Sequence, residues 1–257
     1  MRRITLNPRN GFYPVVVSLK KFDLHIHTCC SKHERWGIDG LNTPREMVKA
    51  AIRVGLDGIA VSDHDTTKGG LIAAKAAREI DRDFLVIPSI EIKTKEGDVL
   101  ALGVMEEINI KSRSLTAEEA IEKMREKGAV IIAPHPYSKE GVGGQLVEKL
   151  GFDAIEAFNS RMLSRHNRKA KELAARLGLP MVASSDAHIA DEVGNGITGI
   201  EINELTVDEV KRAILRGKTR ILREKRSEHL ATVQYLKLCL LLGEIKPPPC
   251  EETGNQT

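Results

Sequence analysis

Cysteine is scarce in this sequence, and what there is follows no framework. Four occur, Cys29, Cys30, Cys239 and Cys250. Adjacent cysteines rarely bridge each other, and none of the four has zinc-finger spacing. The expectation is no disulfide and a reducing, cytoplasmic compartment. Long apolar runs are missing too. LKLCLLLG, near the end, is far too short to cross a bilayer. The opening MRRITLNPRNGFYPVVVSLKK lacks a continuous apolar stretch with a small-residue cleavage site. Neither a membrane span nor a leader is expected. Nor is charge of one sign in large excess: the net charge is +3 and the sequence pI about 8.6. That balance suits anionic substrates but is too small to indicate nucleic acid by itself. No internal repeat or linker divides the chain.

What is present is a repeated alternation of β-branched apolar runs with helical patterns. KKFDLHIHT reads as a strand. TPREMVKAAIRVG reads as a helix, with Thr43 as N-cap, Pro44 at its first position and Gly55 past its end. DGIAVSDHD, DFLVIPSIEIKT, DVLALGV, AVIIAPHP, DAIEAFNS and PMVASSDAH read as further strands. GGLIAAKAAREI, TAEEAIEKMREKG (with Thr116 and Glu119 as a capping box), RHNRKAKELAARLG and TVDEVKRAILRG read as helices. Strand and helix in turn favour a parallel sheet with helices outside. About seven such units in 257 residues predict a barrel, with an open doubly wound sheet as the alternative. The expected divisions are an N-terminal extension over 1–18, one barrel domain over 19–226, a helix over 227–243 and a disordered tail over 244–257.

Three of the eight histidines fall within the nine residues from His25 to His33. Five in all (His25, His27, His64, His135, His188) lie at the C-terminal ends of expected strands, and His33 follows one in a loop. Glu91 and Asp186 share those ends, with Asp63 and Asp65 beside His64. In α/β barrels that rim is where chemistry is assembled. His25 and His27 are two apart on one strand, so they point to the same face and form a natural pair for one metal ion. Imidazole and carboxylate together suit Zn, Mn or Fe.

The ordered motifs DLHIHT, SDHDT, SIEI, APHPYS, EAFNSR and SSDAH, spanning about Leu19 to Glu224, resemble the polymerase and histidinol phosphatase (PHP) family of metal-dependent phosphoesterases. The resemblance implies a single-domain α/β fold, a distorted (β/α)7 barrel, holding two or three divalent ions. It places His25, His27, Glu91 and Asp186 on a first ion, Glu91 and His135 on a second, and His33, His64 and His188 on a third. Relatives carry a histidine before the strand that here reads GDVLALG. At that point Asp98 either ligates through oxygen or leaves the second site altered.

The implied reaction is hydrolysis of a phosphate ester by a metal-activated water, on a small phosphorylated substrate or the 5′ end of a short nucleic acid. Arg161 would face the phosphate. His188, a bound water or no protein acid would protonate the leaving oxygen. Asp23 and Asp63 would orient imidazoles, and Lys68 and Arg35 are weaker phosphate candidates. Cys29 and Cys30 read as packing rather than catalysis. GVGGQ (141–145) reads as a rim loop. No inserted cap fits between LGVMEEINIKSRS and the next helix, so the mouth is expected to be open. The C-terminal helix is expected to pack across the barrel's bottom or side through Leu230, Val233, Leu236 and Leu240, with a self-association surface as the alternative. Two rival readings are an amidohydrolase-like hydrolase and a non-catalytic PHP module of a nucleic-acid-processing complex.

Overall fold

The computed structural model describes residues 18–34 and 37–250. Residues 1–17 of the first expected segment, residues 251–257 of the expected tail and the candidate Arg35 lie outside the described residues. Chain order runs β1 (Ser18–Ile26), β2 (Lys32–His33), β3 (Gly37–Ile38), α1 (Pro44–Arg53), β4 (Gly58–Val61), α2 (Lys68–Ile80), β5 (Leu85–Lys93) and β6 (Asp98–Leu102). It continues through α3 (Ala117–Glu126), β7 (Val130–Ala133), α4 (Gly144–Leu150), β8 (Ala154–Asn159), α5 (Ser164–Leu177) and β9 (Met181–Ser184). A short 3-10 turn (Ala190–Glu192) precedes β10 (Gly196–Ile202), α6 (Val207–Leu215), β11 (Thr219–Glu224) and α7 (Leu230–Leu241).

The nine-stranded sheet is ordered β11-β10-β1-β4-β5-β6-β7-β8-β9. It curls until the chain after β9 meets β1. Ile26 bridges Ala187 in parallel, and the His27 amide donates to the Ala187 carbonyl at 2.9 Å. Seven strands from β1 to β9 thus form a nearly closed α/β barrel, the distorted (β/α)7 architecture expected. The distortion has a local cause. The short connection after Lys93 is a turn rather than a crossover helix, so β6 returns antiparallel to β5 and also pairs antiparallel with β7. β10 is a further departure. GITGIEI was not expected as a strand, because glycine dilutes its β signal, yet it pairs antiparallel with β1 and β11. Nor was α4 expected, since its entry through Gly141, Gly143 and Gly144 reads as loop.

One apolar cluster takes Phe22, Leu24, Ile87, Leu100, Ile132 and Val182 from β1, β5, β6, β7 and β9, so it fills the barrel interior. Val210 and Ile214 of α6 join it from the end where β1 begins. Full burial of each large side chain contributes on the order of 1.5–3 kcal/mol. The two expected helix starts are capping boxes: Thr43 with Glu46, followed by Pro44, and Thr116 with Glu119. These anchored helices hold the strand ends in place, and the strand ends carry the site.

Two expectations about the termini are corrected. Cys30 and Cys250 are joined in a disulfide, Cα to Cα 5.0 Å, although 220 residues separate them; no spacing rule detects a pair so distant in sequence. And α7 lies at the rim rather than the bottom or side. It buries Val233 and Lys237 one turn apart, while Tyr235, Leu238 and Leu241 stay exposed.

Candidate metal centre

His25 and His27 leave β1 on one face, as the two-residue strand period requires, with their Nε2 atoms 3.1 Å apart. Both lie 3.2 Å from Glu91 Oε2, which β5 supplies. Asp186 Oδ1 stands 3.3 Å from His27 Nε2 and 3.8 Å from His25 Nε2. Glu91 Oε1 meets His135 Nε2 at 2.9 Å, and Asp98 converges with these two as a third buried donor. His64 Nε2 and His188 Nε2 lie 3.0 and 3.1 Å from Asp39 Oδ2. Seven of the nine residues expected at the metal positions therefore meet in one buried cluster, and Asp98 joins it. His33 lies on β2 at the rim, half-buried.

Asp39 was missed. Its signal was the Asp39-Gly40 pair just ahead of the capped helix α1. A Cβ on Gly40 would stand 2.4 Å from the Thr28 carbonyl oxygen, so only glycine lets this loop close over β1's end. His135 and Asp186 adopt positive φ (27° and 53°), which turns both side chains inward at their strand ends.

The far nitrogens of the imidazoles are fixed by partners other than the aspartates expected. His25 Nδ1 meets Glu156 Oε1 at 3.0 Å, His27 Nδ1 meets Ser31 Oγ at 3.2 Å, and His135 Nδ1 meets Ser138 Oγ at 3.0 Å. His188 Nδ1 faces the Asp186 carbonyl at 2.8 Å. Glu156 Oε2 also accepts from the His135 amide (2.8 Å) and from Asn159 Nδ2 (2.9 Å), which reaches Asp186 Oδ2 at 3.1 Å. Asp23 instead accepts the Ser185 and Gly194 amides, and Asp63 the Thr28 amide and hydroxyl. They tie strand ends together. Burial raises Asp23 to about 7 and Asp63 to about 6, against those hydrogen bonds.

The donor set fits divalent cations. Four ligand atoms in a tetrahedron at about 2.1 Å from zinc stand roughly 3.4 Å apart, close to the spacings around His25, His27, Glu91 and Asp186. His64 Nδ1 is buried with no hydrogen bond, 3.2 Å from Glu91 Oε2. Burial alone would lower the imidazoles. The Asp186 and Glu91 carboxylates outweigh it at His27, lifting it to about 9, and Glu91 outweighs it at His135, lifting it to about 10. The cluster thus holds positive charge in place before any ion enters. Asp98 is pushed up by burial and then by Glu91.

Arg161 stands at the end of β8, its Nη1 gripping both Glu192 oxygens at 3.1 and 2.9 Å. Glu192 Oε2 accepts the His188 amide at 2.9 Å. Lys68 begins α2. Cys29 is buried and free, its thiol pushed up to about 12 by burial and Asp63, which rules it out as a nucleophile near neutrality.

The family model described as PHP-associated (PHP_C) matches residues 164–219. The uncharacterized protein MJ1587 of Methanocaldococcus jannaschii is 36% identical over 146 residues, covering 54% of this chain and 82% of that protein. The 5′-3′ exoribonuclease Rnm of Salmonella typhimurium is 42% identical over 77 residues, but these cover only 28% of this chain and 22% of the exoribonuclease. Among solved structures, a Bacteroides vulgatus two-domain protein containing a predicted PHP-like metal-dependent phosphoesterase superposes with a TM-score of 0.65. It is 18% identical and covers 86% of this chain and 70% of that one, a likeness of fold.

Proposed function

Because the chain belongs to the PHP family, we propose that its rim cluster binds two or three divalent ions of the Zn, Mn or Fe class and hydrolyses a phosphate ester. The observation that supports this is the convergence of His25, His27, Glu91 and Asp186 within 3.8 Å around His25 Nε2 and His27 Nε2. His25, His27, Glu91 and Asp186 would hold a first ion, and Glu91, His135 and Asp98 a second. His64, His188 and Asp39 gather at the third position. Bound there, the ions would supply Lewis acidity and an activated water near neutral pH.

The chain's own groups do the rest. Glu156, Ser31 and Ser138 hold the imidazoles so that each presents Nε2 inward. Arg161, steadied by Glu192, sets a guanidinium edge at the rim where phosphate oxygens would lie. Burial and Arg161 pull His188 down to about 3, so it is held neutral and suits positioning better than proton donation.

The substrate class proposed is a phosphate monoester or the 5′ end of a short RNA, the latter supported by the similarity to the exoribonuclease. Among the described residues no helix is long and apolar enough to cross a membrane.

A panel of an aryl phosphate, nucleoside bisphosphates, 5′-phosphorylated RNA, amides and lactones, assayed with Mn or Zn, tests the reading. Turnover of phosphate esters that disappears in His25→Ala is expected. Cleavage of amides or lactones only, or no metal-dependent turnover, overturns it.

A further inference from the structure

The C-terminal helix brings a lysine into the metal centre. Lys237 is buried, and its Nζ contacts Asp39 Oδ1. The other oxygen of the same carboxylate faces His64 Nε2 at 3.0 Å and His188 Nε2 at 3.1 Å. Asp39 is itself buried, so the ammonium meets it largely out of water, where a lysine is rarely left without a charged partner.

This placement is anchored at both ends of the segment. Before α7, the Ser227 amide donates to the Ser160 carbonyl at 2.8 Å and its hydroxyl contacts Glu192. After α7, Cys250 is bonded to Cys30, three residues beyond His27, and the Cys29 thiol faces the Pro249 carbonyl at 3.5 Å. Within the helix, Val233 and Lys237 share one face, so burial of the valine turns the lysine toward the rim. An apolar residue at 237 would satisfy the helix's packing. The lysine serves the carboxylate.

We infer that Lys237 is a built-in cation at the third metal position, so that the protein binds two divalent ions and an ammonium in place of three ions. This rests on the metal-dependent reading above. A divalent ion at Asp39, His64 and His188 would compete with the ammonium for the same carboxylate and be repelled by its charge.

The test is metal stoichiometry, by mass spectrometry of protein dialysed to equilibrium with saturating Mn or Zn, for the full chain and for Lys237→Met and Lys237→Arg. Methionine keeps the alkyl stem without the charge, and arginine keeps the charge. The expected result is two ions in the unaltered protein and in Lys237→Arg, and three in Lys237→Met. Three ions in the unaltered protein overturn the inference, and need no variant that folds. Two ions in a folded Lys237→Met, checked by circular dichroism, overturn it as well. Fewer than two ions in the unaltered protein would instead sink the metal-dependent reading on which the inference stands.

Discussion

Glu91 divides its two oxygens: Oε1 lies 2.9 Å from His135 Nε2, while Oε2 lies 3.2 Å from both His25 Nε2 and His27 Nε2. One carboxylate on β5 therefore links the donor groups gathered from β1 with the one that follows β7. Loss of its charge should affect both. Glu91→Gln is expected to lower ion content by at least one per chain and turnover by roughly two orders of magnitude or more, since even partners outside the ligand set contribute 10–100-fold. Unchanged ion content measured by mass spectrometry would count against the bridging role.

Glu156 touches no expected substrate, yet it holds His25 Nδ1 at 3.0 Å and the His135 amide at 2.8 Å. Glu156→Gln should weaken metal affinity about 10–100-fold while the fold persists. Competition with a chromophoric chelator measures this. A change confined to the substrate KM, with metal affinity intact, would contradict it.

Much of this was legible in the sequence for physical reasons. A two-residue strand period places His25 and His27 together whatever the fold. Strand–helix alternation puts strand C-termini at one rim, and that gathers His64, Glu91, His135, Asp186 and His188. Capping residues Thr43 and Thr116 announce their helices because their hydrogen bonds are local. The features missed depend on distant chain. Asp39 reaches the site only because its loop folds back over Thr28. Glu156 and Asn159 lie within EAFNSR, but a lone strand carboxylate carries no signal until its partner from β1 is known. Lys237 sits in an otherwise apolar helix pattern, and its burial against Asp39 arises from a contact 198 residues away. The pairing of Cys30 with Cys250 is likewise a long-range event.

Metal binding should release protons. With no ion bound, Glu91 and Asp186 hold His27 at about 9, and Glu91 holds His135 at about 10, so both are protonated at pH 7. Below those values, each displaced proton makes apparent affinity rise roughly tenfold per unit increase in pH. Because both folded values exceed the ordinary 6.5, the ion-free protein gains stability that is complete below about pH 6.5 and lost as pH rises through 9 to 10. Calorimetric titration in buffers of differing ionisation enthalpy counts the protons. Zero release at pH 7 would contradict the assignment.

The disulfide predicts a thiol count. Denatured, unreduced protein should present two titratable thiols, Cys29 and Cys239, and four after reduction. Reduction should lower unfolding stability by about 2–4 kcal/mol, as closing a long loop does in general. Four thiols in protein oxidised and denatured without reductant would refute the pairing.

The central claim is that the buried rim cluster exists to hold divalent cations for phosphoester hydrolysis, and metal removal tests it most directly. Protein stripped by chelator and dialysed should lose its phosphatase or RNA-end-cleaving activity, regain it on addition of Mn or Zn, and show no such recovery in His25→Ala. Stripped protein that hydrolyses its phosphate ester at the original rate would contradict the account.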